Sequence, residues 1–257
     1  MNRRCLLATI PATSVALLAG CATYRTQSGY GSPESTAPED LSSFALTRTT
    51  TEDLDGRDDL GSYSMSFTTT FDSQYDLERE TAYIHENHSI HGDFHDNFDS
   101  NREKEIWYLD GTYYAKTERT AANQDGYRYD GYDSDFTEVK SIHPATLLSY
   151  LDSHAIDLPT IEITIDDETA QHDLLDIIGG FSDDIYDGDI DRFTVTANRD
   201  DTGHLNRFEL EFTATFEDDR YEETYDITTT ITETLDYTDY NKKFDISLPD
   251  DVRDETS

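Results

Sequence analysis

Cysteine is almost absent from these 257 residues, occurring only as Cys5 and Cys21. No disulfide can therefore staple the chain beyond residue 21, and no thiol is present there to act as a nucleophile or soft metal ligand. Positive charge is also scarce, with 19 Lys plus Arg against 56 Asp plus Glu, a formal −37. A surface that must neutralise phosphates is excluded, so no nucleic-acid partner is expected. Lysine is the scarcer base, limited to Lys104, Lys116, Lys140, Lys242 and Lys243. There is no Gly-x-Ser-x-Gly elbow, phosphate-binding glycine loop or dinucleotide fingerprint, so the motif-bearing enzyme classes are not indicated. What is present is aromatic: 17 Tyr and 12 Phe, within a 35% hydrophobic composition, supply enough apolar surface to close a core despite the charge.

Acids are missing entirely from the first 33 residues, although they make up roughly one residue in five elsewhere. Arg3 and Arg4 precede a short apolar stretch, Leu6 to Ala19, interrupted by Thr9, Pro11, Thr13 and Ser14. That stretch falls short of the about 20 apolar residues a membrane span needs, and it reads as a signal peptide over residues 1–20. Leu18-Ala19-Gly20-Cys21 resembles a lipobox, and Asn2-Arg3-Arg4-Cys5-Leu6-Leu7 resembles a twin-arginine export signal. The resemblance implies cleavage before Cys21, a diacylglyceryl-type lipid on its thiol, and a domain held on the extracytoplasmic face of the cell membrane. No other cofactor is implied by this segment. Loss of the two leader arginines would deepen the net charge by two. So large an excess of acids repels itself unless ions screen it, and with the Arg-over-Lys bias it resembles the composition of proteins from extreme halophiles, haloarchaeal lipoproteins in particular.

Residues 21–40 carry the lipidated Cys and a segment rich in Ala, Thr, Ser, Gly, Pro and Gln, which reads as a flexible tether. A single domain is expected over 41–252, followed by an acidic tail at 253–257. Inside the domain, period-two alternation dominates: Phe208, Leu210, Phe212, Ala214 and Phe216 share one face, Tyr63, Met65, Phe67, Thr69 and Phe71 another, and Tyr225, Ile227, Thr229, Ile231 and Leu235 a third. Asp110-Gly111 and Thr202-Gly203 supply hairpin turns. Pro144 to Leu151 and Ala170 to Phe181 instead space their apolar residues as helical stripes, and a further helix is expected within Leu41 to Leu60.

This order of elements, with Ser62-Tyr63-Ser64-Met65-Ser66-Phe67, the hairpin Trp107-Tyr108-Leu109-Asp110-Gly111-Thr112-Tyr113-Tyr114, the turn Asp201-Thr202-Gly203 and the ending Tyr237 to Pro249, resembles the LolA/LppX-like lipoprotein superfamily. The resemblance implies an α+β fold in which a strongly curved antiparallel β-sheet, a half-barrel, carries two or three helices on its concave side. It also implies a non-enzymatic protein that binds or carries a lipid or other apolar ligand in the cavity. Phe67, Phe71, Phe208, Leu210, Phe212 and Phe216 are the inward residues expected to line it.

Four of the eight histidines, His85, His88, His91 and His95, fall in one short stretch beside acids, a composition that suits a divalent metal. Strand parity groups His85, His91 and His95 and turns His88 the other way, and the spacing matches no zinc motif. Asn87-His88-Ser89 is a glycosylation sequon. Asp187 to Asp191 fails the calcium-loop pattern because Arg192 replaces the needed glycine. Two further readings stay open beside the ligand carrier: a surface metal-binding module, and a structural or interaction protein of the envelope whose protein partners the sequence does not name.

Overall fold

The structure is a computed structural model that describes residues 41–256, apart from 59–60, 95, 122–123, 137–141, 155, 157, 159, 180, 182–184, 186–187 and 219–224. The leader, the tether and Cys21 lie outside the described residues. Chain order is β1 (Ser43–Asp58), β2 (Gly61–Asp76), β3 (Thr81–Phe94), β4 (Asp96–Leu109), β5 (Thr112–Ala121), β6 (Gln124–Asp133), α1 (Pro144–Ser153), β7 (Thr160–Thr164), α2 (Glu168–Ile178), β8 (Asp189–Arg199), β9 (Leu205–Asp218), β10 (Tyr225–Thr238) and α3 (Asp250–Glu255). The ten strands form one antiparallel sheet in the order β6-β5-β4-β3-β2-β1-β10-β9-β8-β7, and it does not close.

Two meanders explain that order. β1 to β6 run outward on one side and β7 to β10 return from the far edge, and the sheet is completed where β10 pairs β1 from Ala45↔Thr238 to Asp55↔Thr228. Because the chain leaves at the β6 edge and re-enters at the β7 edge, the segment between them must cross one face. α1 belongs to that crossing and α2 lies in the connection from β7 to β8; together they bury Leu147, Leu148 and Leu151 with Leu174, Leu175 and Ile178 in one cluster with Phe193, Phe208, Leu210 and Phe212. His143 caps α1 by accepting from Ala145 N at 3.2 Å, and Asp167 caps α2 by accepting from Ala170 N at 2.9 Å. At the other end of α2, Gly179 takes the positive φ of 66° that ends a helix cleanly.

Two expectations are corrected. Residues 43–58 are a strand, not a helix: Phe44 and Leu46 are buried while Ala45 is half-buried and Thr47 exposed, and the β-branched run Thr49-Thr50-Thr51 favours an extended chain. The acidic end is not a tail either, since Asp250–Glu255 forms α3, with Val252 fully buried and Asp251 paired to Lys116 at 2.9 Å. Lys116 neighbours the inward Ala115 and so points to the other face; among the described helices, α1 and α2 lie on one face, within the expected two or three, and α3 docks on the opposite one.

Candidate functional site

On the helix-covered face the apolar alternation is interrupted at one level across five strands. β1 places Arg48, Thr50 and Glu52 on this face, in line with Phe44 and Leu46. Register then sets Thr69 beside Thr50 and His88 beside Thr69, with Glu86 one step along β3 opposite Lys104 and with Arg102 opposite His88. From the other side β10 brings Glu233 opposite Thr50. The result is a belt of polar groups, and most of it is dry: Glu233 and Thr229 have no exposed surface, Thr69 has 1%, Glu86 5% and His88 7%.

The belt is cross-linked. Glu233 accepts from Arg48 Nε at 2.5 Å and from Thr50 Oγ1 at 2.6 Å, and the same guanidinium donates to the Gly179 carbonyl at the end of α2 at 3.1 Å. A cation at a helix C-terminus also meets the negative end of the dipole, so Arg48 fastens helix to sheet. Burial pushes the Glu233 carboxyl upward against the pull of Arg48 and Thr50. It pushes Glu52 up as well, against a bond from Thr229, and Glu86 up against the charges of Lys104 and Arg102. His88 moves the other way: burial, with Arg102 adding to it, disfavours the imidazolium and leaves the ring neutral. Its Nδ1 shares a hydrogen with Thr69 Oγ1 at 2.8 Å, while its buried Nε2 has no partner among the described residues. A buried ring nitrogen without a partner is costly unless something outside the chain meets it.

Beyond the belt, away from the helices, the same face becomes apolar again. Met65, Phe67 and Ile90 form a second buried cluster, with Leu54 and Tyr63 against it. It is separate from the main core.

The six residues expected to line a cavity divide accordingly. Phe208, Leu210 and Phe212 have no exposed surface, and Phe181 closes edge-on over Phe212 at 5.5 Å, so they belong to the packed core beneath the helices. Phe71 lies in the belt, with the Arg48 guanidinium 5.8 Å from its ring centre, and Phe216 is half-buried. Phe67 alone sits in the second cluster.

His85 and His91 do share the opposite face of β3, but six residues along one strand separate them by about 20 Å, so they cannot bind one ion together. His95 and Asp187 lie outside the described residues. No group of three or more His, Cys, Asp or Glu positioned for a metal occurs among the described residues. Asn87 is exposed in mid-strand on that face, in a shallow polar depression of about 260 Å³ lined also by Thr68, Thr70, Ser89 and Asn101. Of the tyrosines, Tyr108 is buried in the core and Tyr132 is stacked on Tyr113 at 4.6 Å.

Sequence reasoning missed the belt. Its signal was there in the parity of β10, where Glu233 falls between Ile231 and Leu235 on the inward side. Among the described residues no helix is long and apolar enough to cross a membrane. Compared with protein-family models and with curated proteins, the chain matches none.

Proposed function

We propose that this chain is a membrane-anchored, extracytoplasmic lipoprotein whose sheet curves into a half-barrel, and that it holds a lipid or other apolar ligand without catalysing a reaction. The observation that supports the reading is the second apolar cluster of Met65, Phe67 and Ile90, which lies past the helices and is bounded by a belt containing His88 Nε2, unpartnered among the described residues. An apolar chain lying over Phe67 would extend that cluster, and a polar end would meet His88. The ligand region therefore shifts from the aromatics of β9 to the far ends of β1, β2 and β3. The lipobox-like Leu18-Ala19-Gly20-Cys21 supports the anchor, and the segment 21–40 would give the domain a reach of about 2–3 nm from the membrane.

Native mass spectrometry and organic extraction of the chain purified from a high-salt host test this. Wild type should carry near-stoichiometric lipid. Phe67→Ala should lose most of it while keeping its circular dichroism, and Phe208→Ala should lower stability without emptying the site. Ligand-free wild type that also takes up no added fatty acid overturns the reading, as does full occupancy in Phe67→Ala.

A further inference from the structure

At one edge of the sheet, β6, no further strand pairs among the described residues. Among the described residues β6 pairs with β5 alone, from Thr112↔Asp133 to Ala121↔Gln124 without a register shift, and it has no proline, lysine or bulge of the kind that protects edges. The direction of its free backbone groups follows from the β4–β5 hairpin. Asp110 and Gly111 both have positive φ, 53° and 78°, which is a type I′ turn, so Leu109 and Thr112 are a hydrogen-bonded pair. Alternation then turns Tyr113, Ala115 and Thr117 toward β6, consistent with the Ser134 N–H donating to Gly111 at 3.2 Å. In β6, Arg128, Asp130 and Tyr132 answer them, and the N–H and C=O of Tyr127, Tyr129 and Gly131 point away from the sheet. This edge also carries the exposed large aromatics found among the described residues, Tyr127 at 54% and Tyr132 at 41%.

The sequence of the edge is self-complementary. We propose that β6 pairs antiparallel with β6 of a second copy about a two-fold axis through Tyr129, joining the two sheets. In that register Arg128 faces Asp130 of the second copy, twice by symmetry, and their heads, 61% and 36% exposed, are already bonded to each other at 2.9 Å within one strand. Tyr132 faces Gly126, whose bare backbone it covers, and Tyr127 faces Gly131, over which the Thr256 side chain beyond α3 already stands. A slip by one residue turns side chains to the wrong face, and a shift of the axis by a whole residue breaks both matches. The other edge, β7, has five residues and an irregular register with β8, and offers no such match. With −37 on each copy, association requires salt to screen the approach.

Sedimentation velocity of the full chain carrying Cys5→Ser and Cys21→Ser, in molar KCl, tests this. Wild-type β6 should give a dimer whose Kd rises as KCl is lowered within the range where the fold persists. Arg128→Glu should raise Kd about tenfold or more, and Arg128→Glu with Asp130→Arg should restore it. Register is read with single cysteines in the same background. A mixture of Arg128→Cys and Asp130→Cys chains should form an intermolecular disulfide under mild oxidation, because facing residues of a non-hydrogen-bonded pair lie about 4.5 Å apart at Cα. Neither variant alone should do so, since each would then have to bridge a diagonal of about 7–8 Å. A monomer at all salt concentrations, a dimer indifferent to Arg128→Glu, or cross-linking equally efficient in the unmixed variants overturns the proposal.

Discussion

Replacing Arg48 with Met tests whether the belt is a set of interlocking bonds or merely polar residues that happen to be buried. The substitution keeps most of the aliphatic stem but removes the one guanidinium bonded, among the described residues, to Glu233, whose side chain has no exposed surface, and removes the bond to Gly179 at the end of α2. Thr50 would remain as the one described donor to that carboxylate. Breaking one side of a buried ion pair costs about 3–5 kcal/mol, and because Arg48 is itself 17% exposed the lower end applies. For a domain of this size about 3 kcal/mol corresponds to a Tm lower by about 6–12 °C. Urea unfolding at constant high salt measures it. The double variant Arg48→Met with Glu233→Leu leaves no charge stranded and should recover most of the loss, giving a coupling energy of about 2 kcal/mol. Acid should narrow the gap for the single variant, since the stranded carboxyl can be neutralised by a proton. A loss below about 1 kcal/mol, or a double variant as weak as the single, would refute the reasoning.

Three further outcomes are expected. Dialysis into millimolar buffer should cost the domain its ellipticity, because the −37 charge is then unscreened and no disulfide constrains the chain; unchanged circular dichroism would count against the halophilic reading. His88 titrates below its ordinary 6.5 in the fold, so its share of stability is present above 6.5 and is lost as pH falls through the depressed value. Relative to His88→Gln, wild type should therefore lose stability on acidification below 6.5 in urea melts at several pH values, whereas the raised carboxyls of Glu52 and Glu86 act in the opposite sense in both proteins. Gly111→Val places a β-branched residue at φ 78° and should cost about 1–2 kcal/mol, with Gly111→Asn costing clearly less.

Legibility in the sequence followed the kind of environment each strand meets. β9 was readable because its inward residues Phe208, Leu210 and Phe212 are uniformly apolar and its outward ones polar, which is what a strand buried on one side produces. α1 and α2 were readable for the same reason at the helical period. β1 was not, although it stands at the centre of the sheet: past Leu46 its inward positions are Arg48, Thr50 and Glu52, so the contrast that reveals alternation vanishes where the belt crosses it. The partners that make those inward charges tolerable are 185 residues away for Arg48 and Glu233, and 183 for Thr50 and Glu233, and no local pattern encodes them. A chain with 56 acids also hides a functional acid among many that only solvate the surface. Burial separates them, because an acid that is given up to the interior must be answered by a donor, as Glu233 is. By the same logic the informative member of the histidine stretch is His88: parity groups its three neighbours for a metal, while the one it excludes is the ring that is buried, held neutral, and left with a nitrogen unanswered among the described residues.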